Sequence, residues 1–155
     1  MSTMLESDDL FALRHRMYRH VADSGSVPER ALIDEWAGGP AAATVALAEL
    51  HERHLVVLGA GGDVAMMLPF AATDTGHVVH GRGFQGNAVS WFANCAWDSF
   101  AVPIALGCDA DIEATWLDTG EPVDLGVRDG ELTSVEGFVQ WMTPARRWWD
   151  DIADT

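Results

Sequence analysis

Apolar residues in the first third of the chain recur every three or four positions, the period of an amphipathic helix. A stripe of this kind begins shortly after Ser7, a residue suited to cap a helix, and stops before Gly25. The pattern predicts a first helix over residues 8–24. Its apolar stripe consists of Leu10, Leu13, Met17 and Val21.

Two more helices are predicted before residue 55. The first begins near Ser26, because Ser26 and Glu29 have the spacing of a capping box, and it ends near Gly38. The second opens at Pro40, a residue favoured in the first helical turn. The apolar stripe of this third helix consists of Ala43, Ala46, Leu47 and Leu50.

A hairpin is predicted after the three helices. Residues 55–58 and 64–68 are β-like apolar runs, and the glycine-rich segment 59–63 separates them. Three helices followed by such a hairpin is the order of a winged helix, a fold that can read DNA with its third helix. Here that helix offers few side chains suited to base edges, which favours a structural lobe. Its candidate residues are Ala41, Ala42, Thr44, Glu49 and Glu52.

The middle of the chain predicts a strand over residues 77–80, a glycine-rich connection, and then a helix along the apolar run from Trp91 to Val102. Alternating residues then predict strands over 110–117 and 123–127, each followed by a turn.

Two elements are predicted near the end of the sequence. Residues 138–142 form a candidate strand, and a last helix is expected from Pro144 to Ile152. The element order predicts an α+β fold, in which a winged-helix-like lobe (residues 1–70) precedes a mixed or antiparallel sheet with packed helices (residues 71–155).

Composition restricts the classes of function. The chain has 155 residues, nine arginines, no lysine and 24 acidic residues, which gives a formal charge of −15. A surface of this charge repels phosphate backbones, so nucleic acid is not an expected partner. One basic cluster, formed by Arg14, Arg16 and Arg19 with His15 and His20, is interpreted as a solvated helix face.

No apolar run is long enough to cross a bilayer, and the N-terminus lacks an apolar signal core, so we expect a cytoplasmic protein without a membrane partner. In such a chain the two cysteines, Cys95 and Cys108, are expected to be thiols.

Cys95 and Asp98 are the residues most suited to chemistry. Their spacing places both side chains on one face of a helix, where a thiolate and a proton-carrying acid could act on the same small molecule. The acidic surroundings favour capture of a soft metal over attack on carbon. Two structural interpretations remain open: Cys95 as a buried small apolar residue, and Asp98 as a helix cap or a partner of Arg82.

These residues resemble the organomercurial (alkylmercury) lyase family. The family has a Cys-Ala-x-Asp motif followed by an apolar, proline-containing segment, which corresponds to residues 94–107. The resemblance extends to the turn at Thr119–Val123, to the segment from Pro144 to Ile152, and to the N-terminal lobe ending in Leu68-Pro-Phe70.

The resemblance implies protonolysis of carbon–mercury bonds. Cys95 would be the mercury-binding thiolate and Asp98 the proton donor or shuttle. No cofactor would be required, and mercury(II) would remain as the bound product. Six tryptophans are expected to build a core and an apolar pocket around the motif. They are Trp91, Trp97, Trp116, Trp141, Trp148 and Trp149.

The family's second catalytic cysteine lies beyond the Trp-Trp-Asp-Asp segment, and no cysteine follows Cys108 in this sequence. Trp116 also stands where many members have a cysteine, which is interpreted as a change in packing. Because the second catalytic cysteine is missing, Cys108 is a candidate third mercury ligand beside Cys95 and Asp98. A cysteine from a second subunit in a homodimer, or an external thiol, are the alternatives.

Two other functions stay open at this point. One is a non-catalytic family member that binds a soft metal or a small organic ligand in the same pocket. The other is a winged-helix transcriptional regulator.

Overall fold

The computed structural model describes residues 7–133, 137–150 and 152. Its helices are α1 (Ser7–Ser24), α2 (Arg30–Ala37), α3 (Pro40–Glu52) and α4 (Ala96–Leu106), and a 3-10 helix spans Ala145–Asp150. The strands are β1 (Val57–Leu58), β2 (Val64–Met67), β3 (Phe70–Ala71), β4 (Val78–Arg82), β5 (Ala88–Ala93), β6 (Ala110–Glu113), β7 (Leu125–Arg128) and β8 (Glu131–Leu132).

The eight strands form one sheet in the order β1-β2-β3-β5-β4-β6-β7-β8, and neighbouring strands are antiparallel. Helices and an antiparallel sheet in one chain confirm the predicted α+β class. The two-residue strand β3 lies between β2 and β5, so the sheet continues across the expected boundary at residue 70. That boundary stays a prediction.

Two groups of buried side chains form the core. The first lies among the three N-terminal helices and β2, and includes Leu10, Leu47 and Met67. The second lies between the sheet and α4, and includes Val79, Trp91 and Val102. Trp91 is fully buried, and its indole Nε1 donates a hydrogen bond of 2.8 Å to the backbone oxygen of Val21. This bond fixes α1 to the middle of the sheet.

The predictions for α1 and α3 are confirmed, because both helices are present and the residues expected in their apolar stripes are buried. Helix α2 starts later than predicted, at Arg30. Its N-cap is Glu29, whose side chain makes no capping hydrogen bond, and Ser26 instead receives a hydrogen bond from Ser24 Oγ at its backbone oxygen. The capping box is therefore not formed.

The predicted helix from Trp91 is wrong in its first part. Trp91 lies on β5, where exposed and buried residues alternate, and α4 starts only at Ala96. The residues alternate because one face of β5 packs on the core and the other faces out. The apolar character of Phe92 conceals this period in the sequence.

The predicted strand over 138–142 is also wrong. These residues are irregular, and the side chains of Phe138 and Met142 are exposed. Residues 145–150 form a 3-10 helix where a helix from Pro144 to Ile152 was expected. The described part of the chain contains no helix that is both long and apolar enough to cross a membrane.

Candidate functional site

Cys95 lies where β5 gives way to α4. The chain leaves the sheet at Asn94, whose backbone N–H donates a hydrogen bond of 3.1 Å to the carbonyl oxygen of Pro69. Cys95 follows with extended dihedral angles (φ −154°, ψ −178°) and is the N-cap residue of α4. The thiol is thereby held at the first turn of the helix, where backbone N–H groups have no partner within the helix.

Asp98 lies in this first turn, and its carboxylate meets the thiol. The distance from Cys95 Sγ to Asp98 Oδ2 is 3.4 Å, with the thiol donating. Both side chains are partly buried. The structure therefore brings together the pair that the spacing predicts, although Cys95 caps the helix and does not lie within it.

Burial raises the pKa of the Cys95 thiol above its ordinary value. The backbone N–H groups at the start of α4 oppose this rise, and the negative charge of Asp98 adds to it. Burial also raises the pKa of Asp98, and the neighbouring Cys95 and Asn94 side chains oppose that rise. The site therefore favours a protonated thiol beside a carboxyl group that accepts a proton more readily than an exposed aspartate.

Asn94 is a site residue that the sequence interpretation missed. Both its side-chain nitrogen and its side-chain oxygen are buried, and neither makes a hydrogen bond of normal geometry within the described residues. A buried amide with incomplete hydrogen bonds costs free energy, and the contact that remains to it is the one with the Asp98 carboxylate, whose pKa it lowers. Its position directly before Cys95 is the signal that could have found it.

Helix α1 contributes a second missed residue, Tyr18, which is the only tyrosine in the sequence. Its hydroxyl donates to the carbonyl oxygen of Leu68 at 2.8 Å and accepts from Arg14 Nη2 at 3.3 Å. Burial raises the pKa of Tyr18, Arg14 opposes the rise, and the charge of Asp98 adds a smaller increase. Tyr18 thus borders the site as a neutral phenol, and Leu68-Pro69 links it to Asn94.

Cys108 lies at the other end of α4. It follows the helix C-cap residue Gly107, and its backbone N–H donates to Pro103. The eleven residues of α4 extend for about 16 Å between the two cysteines. Two thiolates on one metal ion lie within roughly 5 Å of each other, so one ion cannot bridge Cys95 and Cys108 of this chain. Among the described residues no group of three or more His, Cys, Asp or Glu side chains could hold a metal ion.

Aromatic side chains lie next to the motif, but most do not form a core. Trp97 is 55% exposed, and its ring meets that of Trp141 edge-on with centroids 5.6 Å apart. Trp141 in turn contacts Trp148 at 6.0 Å. Of the six tryptophans expected in the core, only Trp91 is fully buried among those described. Trp97, Trp141 and Trp148 form a chain of rings beside the motif, whereas Trp149 stacks on His54 with ring centroids 3.9 Å apart.

A family model described as alkylmercury lyase (MerB) matches residues 70–155, which is more than half of the chain. The chain belongs to the alkylmercury lyase family. The matched residues include Cys95 and Asp98, whereas Tyr18 and Arg14 precede them.

A solved member of similar structure is described as the mercury-bound form of MerB2. It aligns with a TM-score of 0.59 and 25% sequence identity, over 84% of this chain and 60% of that one. The chain thus spans about 60% of the length of this alkylmercury lyase structure. Among curated protein sequences none matches the chain.

Proposed function

We propose that this chain cleaves carbon–mercury bonds of organomercurials, with Cys95 as the mercury-binding thiol and Asp98 as the proton shuttle. The observation that carries the proposal is the 3.4 Å contact between the Cys95 thiol and Asp98 Oδ2 at the start of α4. Membership of the alkylmercury lyase family and the similarity to a mercury-bound member support it.

The first step is the exchange of the thiol proton for mercury. An organomercury cation binds the Cys95 sulfur because mercury is soft and binds thiolate even when the thiol must lose its proton on binding. The released proton passes to Asp98, which already accepts the thiol hydrogen bond and whose pKa is raised by burial. After this step the Asp98 carboxyl group carries the proton and lies next to the carbon that will receive it.

In the second step Asp98 donates the proton to the carbon as the carbon–mercury bond breaks. The electron pair of that bond stays with carbon and forms the new carbon–hydrogen bond, so a hydrocarbon leaves. Mercury(II) remains on the Cys95 sulfur, and the ionised Asp98 or an external thiol completes its coordination. Trp97 and Trp141 offer apolar surface for the organic group.

Measurement of benzene release from phenylmercury in excess thiol tests the proposal. Wild type should release benzene faster than thiol alone, and Cys95→Ser should fall to that background rate. Cys108→Ser is the matched control, because Cys108 lies at the far end of α4, and it should retain the wild-type rate. Equal release from wild type and Cys95→Ser would overturn the mechanism.

A second candidate is a protein that binds a soft metal without cleaving a bond. The observation in its favour is that Cys95 has no second thiol within reach in the described structure, since Cys108 is an α4 length away. Stoichiometric mercury(II) binding that requires Cys95, without benzene release, would select this function.

A further inference from the structure

A cleft separate from the thiol site lies beside α1. It has a volume of about 480 Å³ and is formed by α1, α2 and the turn between β4 and β5. The cleft is largely open to solvent, so a small molecule bound there would be held on one side by the lining residues. The lining side chains used below are Arg16, Arg19, His20, Asp23, Trp36 and Gln85.

Two arginines in this cleft are held by aromatic rings and not by acids. The Arg16 guanidinium lies 5.3 Å from the ring centroid of Trp36, and the Arg19 guanidinium lies 4.8 Å from that of Phe84. Within the described residues neither guanidinium has a hydrogen bond or an ion pair.

The chain has 24 acidic residues and nine arginines, and among the described residues five arginines, Arg16 and Arg19 included, have no carboxylate partner. Arg30, Arg53, Arg128 and Arg147 each pair with a carboxylate. Stacking on a ring orients a guanidinium and leaves its N–H edge free for an anion. Arg16 and Arg19 are therefore positioned as open donors.

The one carboxylate in the cleft is already engaged. Asp23 accepts hydrogen bonds from the backbone nitrogen of Gln85 at 3.1 Å and from its side-chain amide at 3.4 Å. The backbone oxygen of Asp23 also accepts from Asn87 Nδ2 at 3.0 Å. Asp23 thus fixes the β4–β5 turn against α1, and among the described residues it forms no ion pair with Arg16 or Arg19.

The cleft is remote from the Cys95 thiol. Its turn residue Gln85 precedes the start of β5, whereas Cys95 follows the end of that strand. The six residues of β5 span about 20 Å. A ligand in the cleft therefore does not contact Cys95 or Asp98.

We propose that this cleft binds a small anionic molecule with a planar apolar part. A carboxylate or phosphate group would bind the free N–H groups of Arg16 and Arg19, since a guanidinium matches the paired oxygens of either group. The planar part would lie against Trp36, whose ring already contacts the ring of His20 edge-on at 5.7 Å. Because the chain carries a charge of −15, the attraction is local to the cleft and sensitive to salt.

Isothermal titration calorimetry with phenyl phosphate, benzoate and inorganic phosphate at low ionic strength tests this site. Phenyl phosphate should bind more tightly than inorganic phosphate, because only the former can contact Trp36. Comparison of phenyl phosphate with benzoate identifies which oxyanion the arginines prefer. Added salt should weaken both.

Arg16→Gln and Arg19→Gln should each lower the affinity by about tenfold or more, because each removes a charged hydrogen-bond donor. Arg53→Gln removes the same charge outside the cleft and should leave the affinity unchanged. Equal affinity in wild type and the Arg16→Gln/Arg19→Gln double variant would overturn the proposal. Absence of binding by all three probes would do the same.

The cleft and the carbon–mercury chemistry can fail independently. Cys95→Ser should bind phenyl phosphate as wild type does, and the Arg16→Gln/Arg19→Gln double variant should release benzene at the rate of wild type. A Cys95→Ser protein that loses phenyl phosphate binding would contradict the separation of the two sites.

Discussion

The Sγ atom of Cys95 lies 3.4 Å from Oδ2 of Asp98, and the helix start that holds the thiol also holds the acid. The N-cap position and the third residue of the first turn face each other in this geometry. A thiol proton and a carboxylate that accepts it are thus in contact before any substrate arrives. Each prediction on the reaction depends on this contact.

We expect Asp98→Asn to separate binding from cleavage. The thiol of Cys95 remains, so stoichiometric mercury(II) binding should persist. An amide cannot deliver the proton to carbon, so benzene release should fall by about a hundredfold or more. Asp118→Asn, at an exposed position, is the control and should retain the wild-type rate. A variant that loses mercury binding as well would show that Asp98 is required as a ligand.

The pH dependence of thiol alkylation should follow the raised pKa of Cys95. Burial is the main cause of the rise and the Asp98 charge adds to it, so iodoacetamide should react mainly above the usual thiol pKa of about 8.5. In Asp98→Asn the alkylation curve should move to lower pH, because the negative charge is gone. Both proteins carry Cys108→Ser so that one thiol is observed. A shift in the opposite direction would contradict the assigned role of the charge.

Stability should depend on the ionisation of Asp98. Because its pKa is raised in the folded state, the folded protein binds this proton more tightly than the unfolded chain. The resulting stabilisation is present below the unfolded pKa of about 4 and is lost as pH rises through the higher folded pKa. At neutral pH we therefore expect Asp98→Asn to melt at a higher temperature than wild type, and the difference should shrink on acidification. Circular dichroism melts across this pH range measure it.

Asn94→Leu should raise the stability of the fold and lower the rate of benzene release. The substitution removes a buried amide that makes no hydrogen bond of normal geometry within the described residues and keeps a similar volume, so the free energy of unfolding should rise by about 1 kcal/mol. Benzene release should fall, because the amide beside Asp98 is lost. Chemical denaturation and the release assay on the same preparation provide both values. A decrease in both would show that the Asn94 amide stabilises the fold through its contact with Asp98.

Trp91→Phe should destabilise the fold by about 2 kcal/mol or more. The smaller ring leaves a cavity, and the backbone oxygen of Val21 loses the indole N–H at 2.8 Å. Trp97→Phe is the matched control, since its side chain is 55% exposed, and its effect should stay within about 0.5 kcal/mol. Urea unfolding followed by circular dichroism compares them. Equal effects would contradict the different burial of the two rings.

The sequence predicted the elements whose period is long and clear. The apolar stripes of α1 and α3 could be predicted because each helix packs on the core along one side only. The turn at Asp129-Gly130 could be predicted because Asp and Gly tolerate the positive φ that both residues adopt there. The start of α2 could not be predicted in this way, because Ser26 is hydrogen-bonded to Ser24 and does not cap the helix.

The site was predictable only where it depends on local spacing. Cys95 and Asp98 meet because three residues separate them. Tyr18 comes from α1 and is linked to Asn94 through Leu68-Pro69, which no local pattern shows. The distance between Cys95 and Cys108 depends on where α4 begins and ends. The start of α4 could not be predicted, because the apolar run from Trp91 to Val102 continues from β5 into the helix.

Strand β3 gives the thiol site a dependence on both halves of the chain. Its two residues, Phe70 and Ala71, join β2 to β5, and the preceding Pro69 carbonyl holds Asn94. A fragment that starts after β3 would leave β5 as an unpaired edge and release the backbone that leads to Cys95. In chimaeras that exchange the N-terminal half between relatives, the thiol should therefore keep its position only if β3 and the preceding Pro69 are transferred intact.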